Sequence, residues 1–208
     1  MVRCVIPARK GSKRIYGKNL LKIGGKTLID ISVESAVKSQ VCDQVILSTD
    51  INMQNENKNV ILDKRKRSTA GDRSSSTDFM KYIIEKYKCS ENDVIIFLQP
   101  TSPGRSFSDV RRAFEIFGIK KKPVVSVFKS KKLHDNLCIK GKNSLMNKIT
   151  LRKQEIFQIN GAIFIFTVSQ FNEAKGIPQT MFAPYIMEEK DSVDIDEYTD
   201  YIKAALLH

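Results

Sequence analysis

The sequence predicts an α/β fold, a mainly parallel sheet flanked by helices, and three observations support it. Short β-rich runs alternate with stretches of helical apolar spacing along the whole chain. Val94 to Leu98 is apolar at every position, as suits a strand covered on both faces. The length of 208 residues at 41% hydrophobic composition is enough for one core, and no repeat or low-complexity linker divides it. The expected organisation is a single domain over residues 1–208. A segment at about 129–158, polar, lysine-rich and irregular, reads as an insertion or dimerisation arm.

Taken in order, Val2 to Pro7 reads as the first strand, and Leu28 to Lys38 as a helix with Ile29, Val33, Ala36 and Val37 on one face. Gln44 to Ser48 is a second strand, ending at Thr49-Asp50, and Val60 to Leu62 a short third. Ser74 to Ser76 supply a cap for a helix through Phe79, Ile83 and Ile84 to about Tyr87. Val94 to Leu98 stops at Gln99-Pro100-Thr101-Ser102-Pro103, a loop bracketed by prolines. Ser108 is expected to open a helix through Val110, Ala113, Phe114 and Phe117, before strand Val124 to Phe128. Ala162 to Phe166 is another strong strand, Tyr185-Ile186 a weak one, and Tyr198 to Leu207 a closing helix that Asp196 is placed to cap.

Composition narrows the function. With 35 Lys+Arg against 23 Asp+Glu the net charge is +12, which suits nucleic acid, an acidic membrane surface or a polyanionic small substrate. No apolar run reaches the roughly 18–20 residues of a membrane span. Met1 leads directly into VRCVIPA without a charged leader and cleavage site, so a cytoplasmic location is expected. Cys4, Cys42, Cys89 and Cys138 form no CxxC or Cys/His cluster, which points to reduced packing thiols. His134 and His208 are the only histidines, which leaves little room for Ser-His-Asp or Cys-His chemistry.

The first candidate site is the loop from Ala8 to Asn19. Small residues such as Gly11 and Ser12 let backbone N–H groups approach phosphate oxygens, while Arg9 and Lys18 neutralise a polyanion. It is not a P-loop: Gly11 and Gly17 enclose five residues rather than four, and Asn19 stands where Ser or Thr would bind magnesium. No GxGxxG follows the strand either. A second candidate is Asp194 and Asp196, whose i, i+2 spacing turns both carboxylates the same way from an extended segment. Such a pair suits magnesium, which takes one or two carboxylates plus substrate phosphates, and equally suits a helix cap. Gln99, Thr101 and Ser102 add uncharged hydrogen-bonding groups at the carboxyl end of the most apolar strand, where open α/β sheets bind ligands. The basic runs Lys64-Arg65-Lys66-Arg67, Lys120-Lys121-Lys122 and Lys129 to Lys132 lack interleaved aromatics and read as solvated faces.

The blocks IPARKGSKRIYGKNL, VILSTD, AGDRSSS, FLQPTSP, NGAIFIF and SVDIDEYTDY occur in an order that resembles the acylneuraminate cytidylyltransferases, the CMP-sialic acid synthetase family. The resemblance runs from Ile6 to Tyr201. It implies a Rossmann-like nucleotidyltransferase domain, a homodimer, that transfers CMP from CTP to the anomeric 2-hydroxyl of a nine-carbon α-keto sugar acid of the sialic or legionaminic type and releases pyrophosphate. By the same resemblance Arg9 and Lys18 hold the triphosphate, with Ala8, Gly11, Ser12 and Asn19 in the same loop. Arg65, Asp72, Ser75 and Ser76 fall in the cytidine pocket, Gln99 and Thr101 face the sugar, and Asn160 and Gly161 floor its site. Asp194 and Asp196 match the Mg2+ ligands, and Arg9, Lys18, Gln99 and Asp196 carry the catalysis.

Departures are local. Lys10, Arg14 and Tyr16 replace the family's usual Gly, Gly and Pro, and the region before NGA is shortened, leaving Arg152 or Lys132 to meet the sugar carboxylate. Neither nucleic acid nor membrane is an expected partner. A Kdo-type cytidylyltransferase is the neighbouring alternative, though its first loop continues with Lys-Pro where this chain has Lys18-Asn19. A basic nucleic-acid-binding protein of the same fold is the alternative from another class.

Overall fold

A computed structural model describes the chain except residue 13 and residues 54–56, 66–74, 131–136, 141–145 and 150–154; for 137–140 and 146–149 it describes the backbone alone. Strands β1 (Val2–Ala8), β4 (Gln44–Thr49), β5 (Val60–Lys64), β6 (Val94–Phe97), β7 (Val124–Lys129), β10 (Phe157–Thr167) and β11 (Ala183–Met187) form one sheet in the order β11-β7-β10-β6-β1-β4-β5. β1 is parallel to β4 and β6, β4 to β5, and β11 to β7, while β10 runs antiparallel between β6 and β7. The predicted α/β class holds. Its one reversal, β10, brings the residues before Ala162 back to the edge where β1, β4, β5 and β6 end.

Alternation along the strands builds a core on each face. Cys4, Ile6, Leu47, Ile96, Ile163 and Ile165 pack with Ile29 and Ala36 of α1 (Leu28–Ser39) and Val110, Ala113 and Phe117 of α3 (Phe107–Lys120). On the other face Val5, Ile46, Ile95, Phe97 and Phe164 pack with Phe79 and Ile83 of α2 (Ser76–Lys86) and Phe171 of α4 (Val168–Glu173). A third, smaller cluster joins Ile15, Ile23 and Leu28 to Val193, Ile195 and Ala204, the last on α5 (Tyr198–Leu207). Cys4, Cys42 and Cys89 are free thiols, and Cys42 packs against the cluster that buries Cys4.

Among the described helices four open with a reciprocal capping box, Thr27 with Asp30, Ser75 with Asp78, Ser106 with Asp109 and Thr167 with Gln170, and at the fifth the Glu197 N–H donates to the Asp200 carboxylate at 2.8 Å. Two expected caps are corrected by this pairing. The helix expected to open at Ser108 is capped by Ser106, because only from there does an acid fall at the third helical position. Glu197, not Asp196, caps α5; Asp196 donates its backbone N–H to Asp200 at 3.0 Å, which leaves its side chain for other partners. Two short hairpins lie outside the expected elements. One pairs β2 (Lys22–Ile23) with β3 (Lys26–Thr27) around Gly24 and Gly25, and the other pairs β8 (Leu137–Lys140) with β9 (Met146–Ile149) inside the segment read as irregular. No described helix is long and apolar enough to cross a membrane.

Candidate active site

A cleft of about 450 Å³ opens at the carboxyl ends of β1, β5 and β6. The loop after β1 forms one wall. Its backbone is held from below: Thr49 Oγ1 donates to the Ala8 carbonyl at 2.5 Å, and the Lys10 N–H donates to Asp50 at 2.6 Å. Asn19 is buried, and its side-chain amide closes the loop onto the Arg9 carbonyl at 2.8 Å. Gly17 takes φ 65°, a left-handed turn that delivers Lys18 into the cleft. Ile15, in the third cluster, anchors the loop between these points.

Arg65 begins the opposite wall. Its N–H donates to the Thr49 carbonyl at 2.9 Å, and its guanidinium lies 4.3 Å from the centre of the Phe79 ring, within cation–π range. Burial, and then the like charge of Arg9, lower its pKa, so the cations here already crowd one another. Ser75 and Ser76 sit at the start of α2, whose N-terminal N–H groups favour an anion. Asp72 lies outside the described residues, as do Arg152 and Lys132.

Gln99, Pro100 and Thr101 form the floor, and the Asp194–Asp196 segment is stitched to them by the Ile195 N–H, 2.8 Å from the Thr101 carbonyl. Arg105, fully buried, donates to the carbonyls of Gln99 (3.0 Å) and Ala162 (2.8 Å) and to Ser32 Oγ (2.8 Å). Gly161 sits in the β10 bulge at φ 73°, and a Cβ there would lie 2.7 Å from Gln99 Oε1 and 3.7 Å from Asp194 Oδ2. Asn160 is buried; its amide receives Ser126 Oγ at 2.6 Å and donates to Ser192 Oγ at 2.9 Å, so it secures the bulge.

The carboxylates differ electrostatically. Desolvation, helped by the charge of Asp196, raises the Asp194 pKa against a Thr101 hydrogen bond. Burial also works against the charge on Asp196, but Lys18 (3.1 Å) and Arg14 (2.6 Å) outweigh it and its pKa falls.

The cleft thus gathers Arg9, Ser12, Lys18, Asn19, Arg65, Ser75 and Ser76, and with them Gln99, Thr101, Asp194 and Asp196. Ala8 and Gly11 contribute to the loop backbone behind this lining, and Asn160 and Gly161 stand behind Gln99. In the sequence Arg14 has no role beyond a departure, Phe79 and Phe97 are placed only as residues of a helix and a strand, and Arg105 is not singled out. Among the described residues no three His, Cys, Asp or Glu side chains cluster to hold a metal by themselves.

Cations ringing a carboxylate pair at the carboxyl edge of such a sheet can hold a phosphate chain and stabilise charge moving along it. That combination defines the nucleotidyltransferase class. The chain belongs to the cytidylyltransferase family, whose model matches residues 3–205. It is 31% identical to the CMP-N,N'-diacetyllegionaminic acid synthase of Legionella pneumophila, over 96% of this chain and 93% of that protein. It is 29% identical to an N-acylneuraminate cytidylyltransferase of Escherichia coli O18:K1:H7 over 95% of its length, which corresponds to 49% of that longer relative. The fold matches a CMP:2-keto-3-deoxy-manno-octonic acid synthetase complexed with CTP, at TM-score 0.72 and 19% identity, over 99% of this chain and 97% of that one.

Proposed function

We propose that this chain transfers CMP from CTP to the anomeric 2-hydroxyl of a nine-carbon α-keto sugar acid, of the sialic or legionaminic type, and releases pyrophosphate. The observation that carries the proposal is one cleft lined by two kinds of group, the cations Arg9, Lys18 and Arg65 with the α2 N-terminus, and the polar residues Gln99 and Asp194. The first suits a nucleoside triphosphate; the second suits a polyhydroxylated acceptor. The near full-length similarity to the legionaminic acid enzyme supports the acceptor class.

In this reading the cytidine lies toward Arg65, Ser75 and Ser76, and the phosphates run along the β1 loop. The acceptor oxygen attacks the α-phosphorus in line, the bond to the β-phosphate breaks, and the hydroxyl proton leaves to solvent. Arg9 and Lys18 stabilise the charge that grows on the departing pyrophosphate. Gln99, held at its carbonyl by Arg105, orients the acceptor hydroxyl. Asp194 and Asp196, two carboxylates of one segment lining the same cleft, would hold a magnesium ion beside the phosphates. When bound, that ion supplies neutralisation of the phosphate charge.

The test is pyrophosphate release with CTP, magnesium and a panel of nine-carbon sugar acids. We expect CTP to be preferred over ATP, GTP and UTP, and Arg9→Ala and Asp196→Asn each to lose roughly a hundredfold or more in rate. Full activity in either variant rejects the role assigned to that residue. Pyrophosphate release with no sugar acid on the panel rejects the proposed acceptor.

A further inference from the structure

Among the described residues, Arg14 is the one cation of the cleft lining that the proposed reaction leaves unused. It is also a departure within the first loop, where the resemblance leads one to expect glycine. Its guanidinium Nη1 lies 2.6 Å from Asp196 Oδ2, and Lys18 Nζ lies 3.1 Å from the other oxygen, Oδ1. Both oxygens of Asp196 are therefore engaged by protein cations, so an approaching metal ion meets two positive charges there.

The two cations are not equivalent. The Lys18 side chain is 14% exposed and is further fixed by the Ile195 carbonyl at 2.7 Å. The Arg14 side chain is 61% exposed, and the Asp196 carboxylate is its only ion-pair partner among the described residues. A solvent-exposed ion pair of this kind is held weakly and exchanges readily. A triphosphate offers the guanidinium denser negative charge and a geometry that matches its paired N–H groups.

Resting on the function proposed above, we infer that Arg14 is an exchangeable counter-ion. It neutralises Asp196 in the free protein and transfers to the phosphate chain when the nucleotide binds. The transfer leaves an oxygen of Asp196 open to a divalent cation, so the metal enters with or after the nucleotide. Arg14 thus serves twice, as a phosphate contact and as a guard on the carboxylate, and Lys18 remains as the fixed contact.

The test uses the full chain as Arg14→Gln and Arg14→Lys. CTP affinity is measured by calorimetry in the presence of EDTA, and binding of Mn2+ alone is measured by electron paramagnetic resonance without nucleotide. Arg14→Gln is expected to weaken metal-free CTP binding about tenfold and to flatten its salt dependence. It should also tighten Mn2+ binding in the absence of nucleotide several-fold, because one guarding charge is gone. Arg14→Lys should keep most of the CTP affinity. An Arg14→Gln variant within about twofold of the parent in either measurement overturns the inference, and leaves the proposed function intact if the parent binds CTP and releases pyrophosphate. A parent chain that does not bind CTP overturns both.

Discussion

A methyl group at position 161 has no room: a Cβ would sit 2.7 Å from Gln99 Oε1, and the backbone there is at φ 73°, where a side chain is strained. The Gly161→Ala variant therefore carries two costs, about 1–2 kcal/mol for the left-handed conformation and the displacement of Gln99. Its stability in urea should fall by about that amount. Its kcat for CMP transfer should fall more than tenfold while CTP affinity changes little, because Gln99 is uncharged and is assigned to the acceptor rather than to the triphosphate. An unchanged kcat would show that the orientation of Gln99 does not matter to the reaction. Position 161 was legible from the NGA block, and the reason for its glycine was not. That reason is a bulge in β10 set by Asn160, whose amide bonds to Ser126 and Ser192 from strands and loops distant in sequence. No local pattern announces such a contact.

The loop between β6 and α3 holds its shape through Arg105, which ties that loop to α1 through Ser32 and to β10 through the Ala162 carbonyl. Burial lowers the pKa of this guanidinium to about 10, which leaves it charged at neutral pH. Replacing it in Arg105→Met keeps much of the volume but leaves two buried carbonyls and a hydroxyl without their donor. At about 1–3 kcal/mol for each unsatisfied group, a loss of roughly 3 kcal/mol or more is expected in chemical denaturation. A loss below about 1 kcal/mol would mean that water or neighbouring groups replace the arginine. The strands and helices were legible because alternation and helical spacing report which face is buried. The two short hairpins were not, since paired strands of two to four residues are too brief for periodicity. Nor was Arg105, because arginine is ordinarily a surface residue and only the assembled loop offers it partners.

Across the whole molecule, the net charge of +12 is resolved by where the cations sit: Arg9, Arg14, Lys18 and Arg65 share one cleft, which is assembled from segments far apart in the chain. The β1 loop and the Asp194–Asp196 segment meet because Ile15, Ile23 and Leu28 bury Val193, Ile195 and Ala204, and because the Ile195 N–H reaches the Thr101 carbonyl. A ligand that bridges these walls must slow local opening in all of them together, since each opening would break contacts to the same molecule. Amide hydrogen exchange with saturating CTP and magnesium should therefore slow in residues 9–19, 75–79, 99–102 and 194–196. The carboxyl end of α3 and strand β11, on the far side of the sheet order, should exchange at unchanged rates. Duplex DNA of random sequence should give no such pattern at physiological salt, because the basic runs of the sequence carry no interleaved aromatics to stack on bases. Protection confined to the β1 loop, with the Asp194–Asp196 segment unaffected by nucleotide, would separate the carboxylates from the phosphate site. The cleft would then have to be read as an anion site beside an independent structural segment.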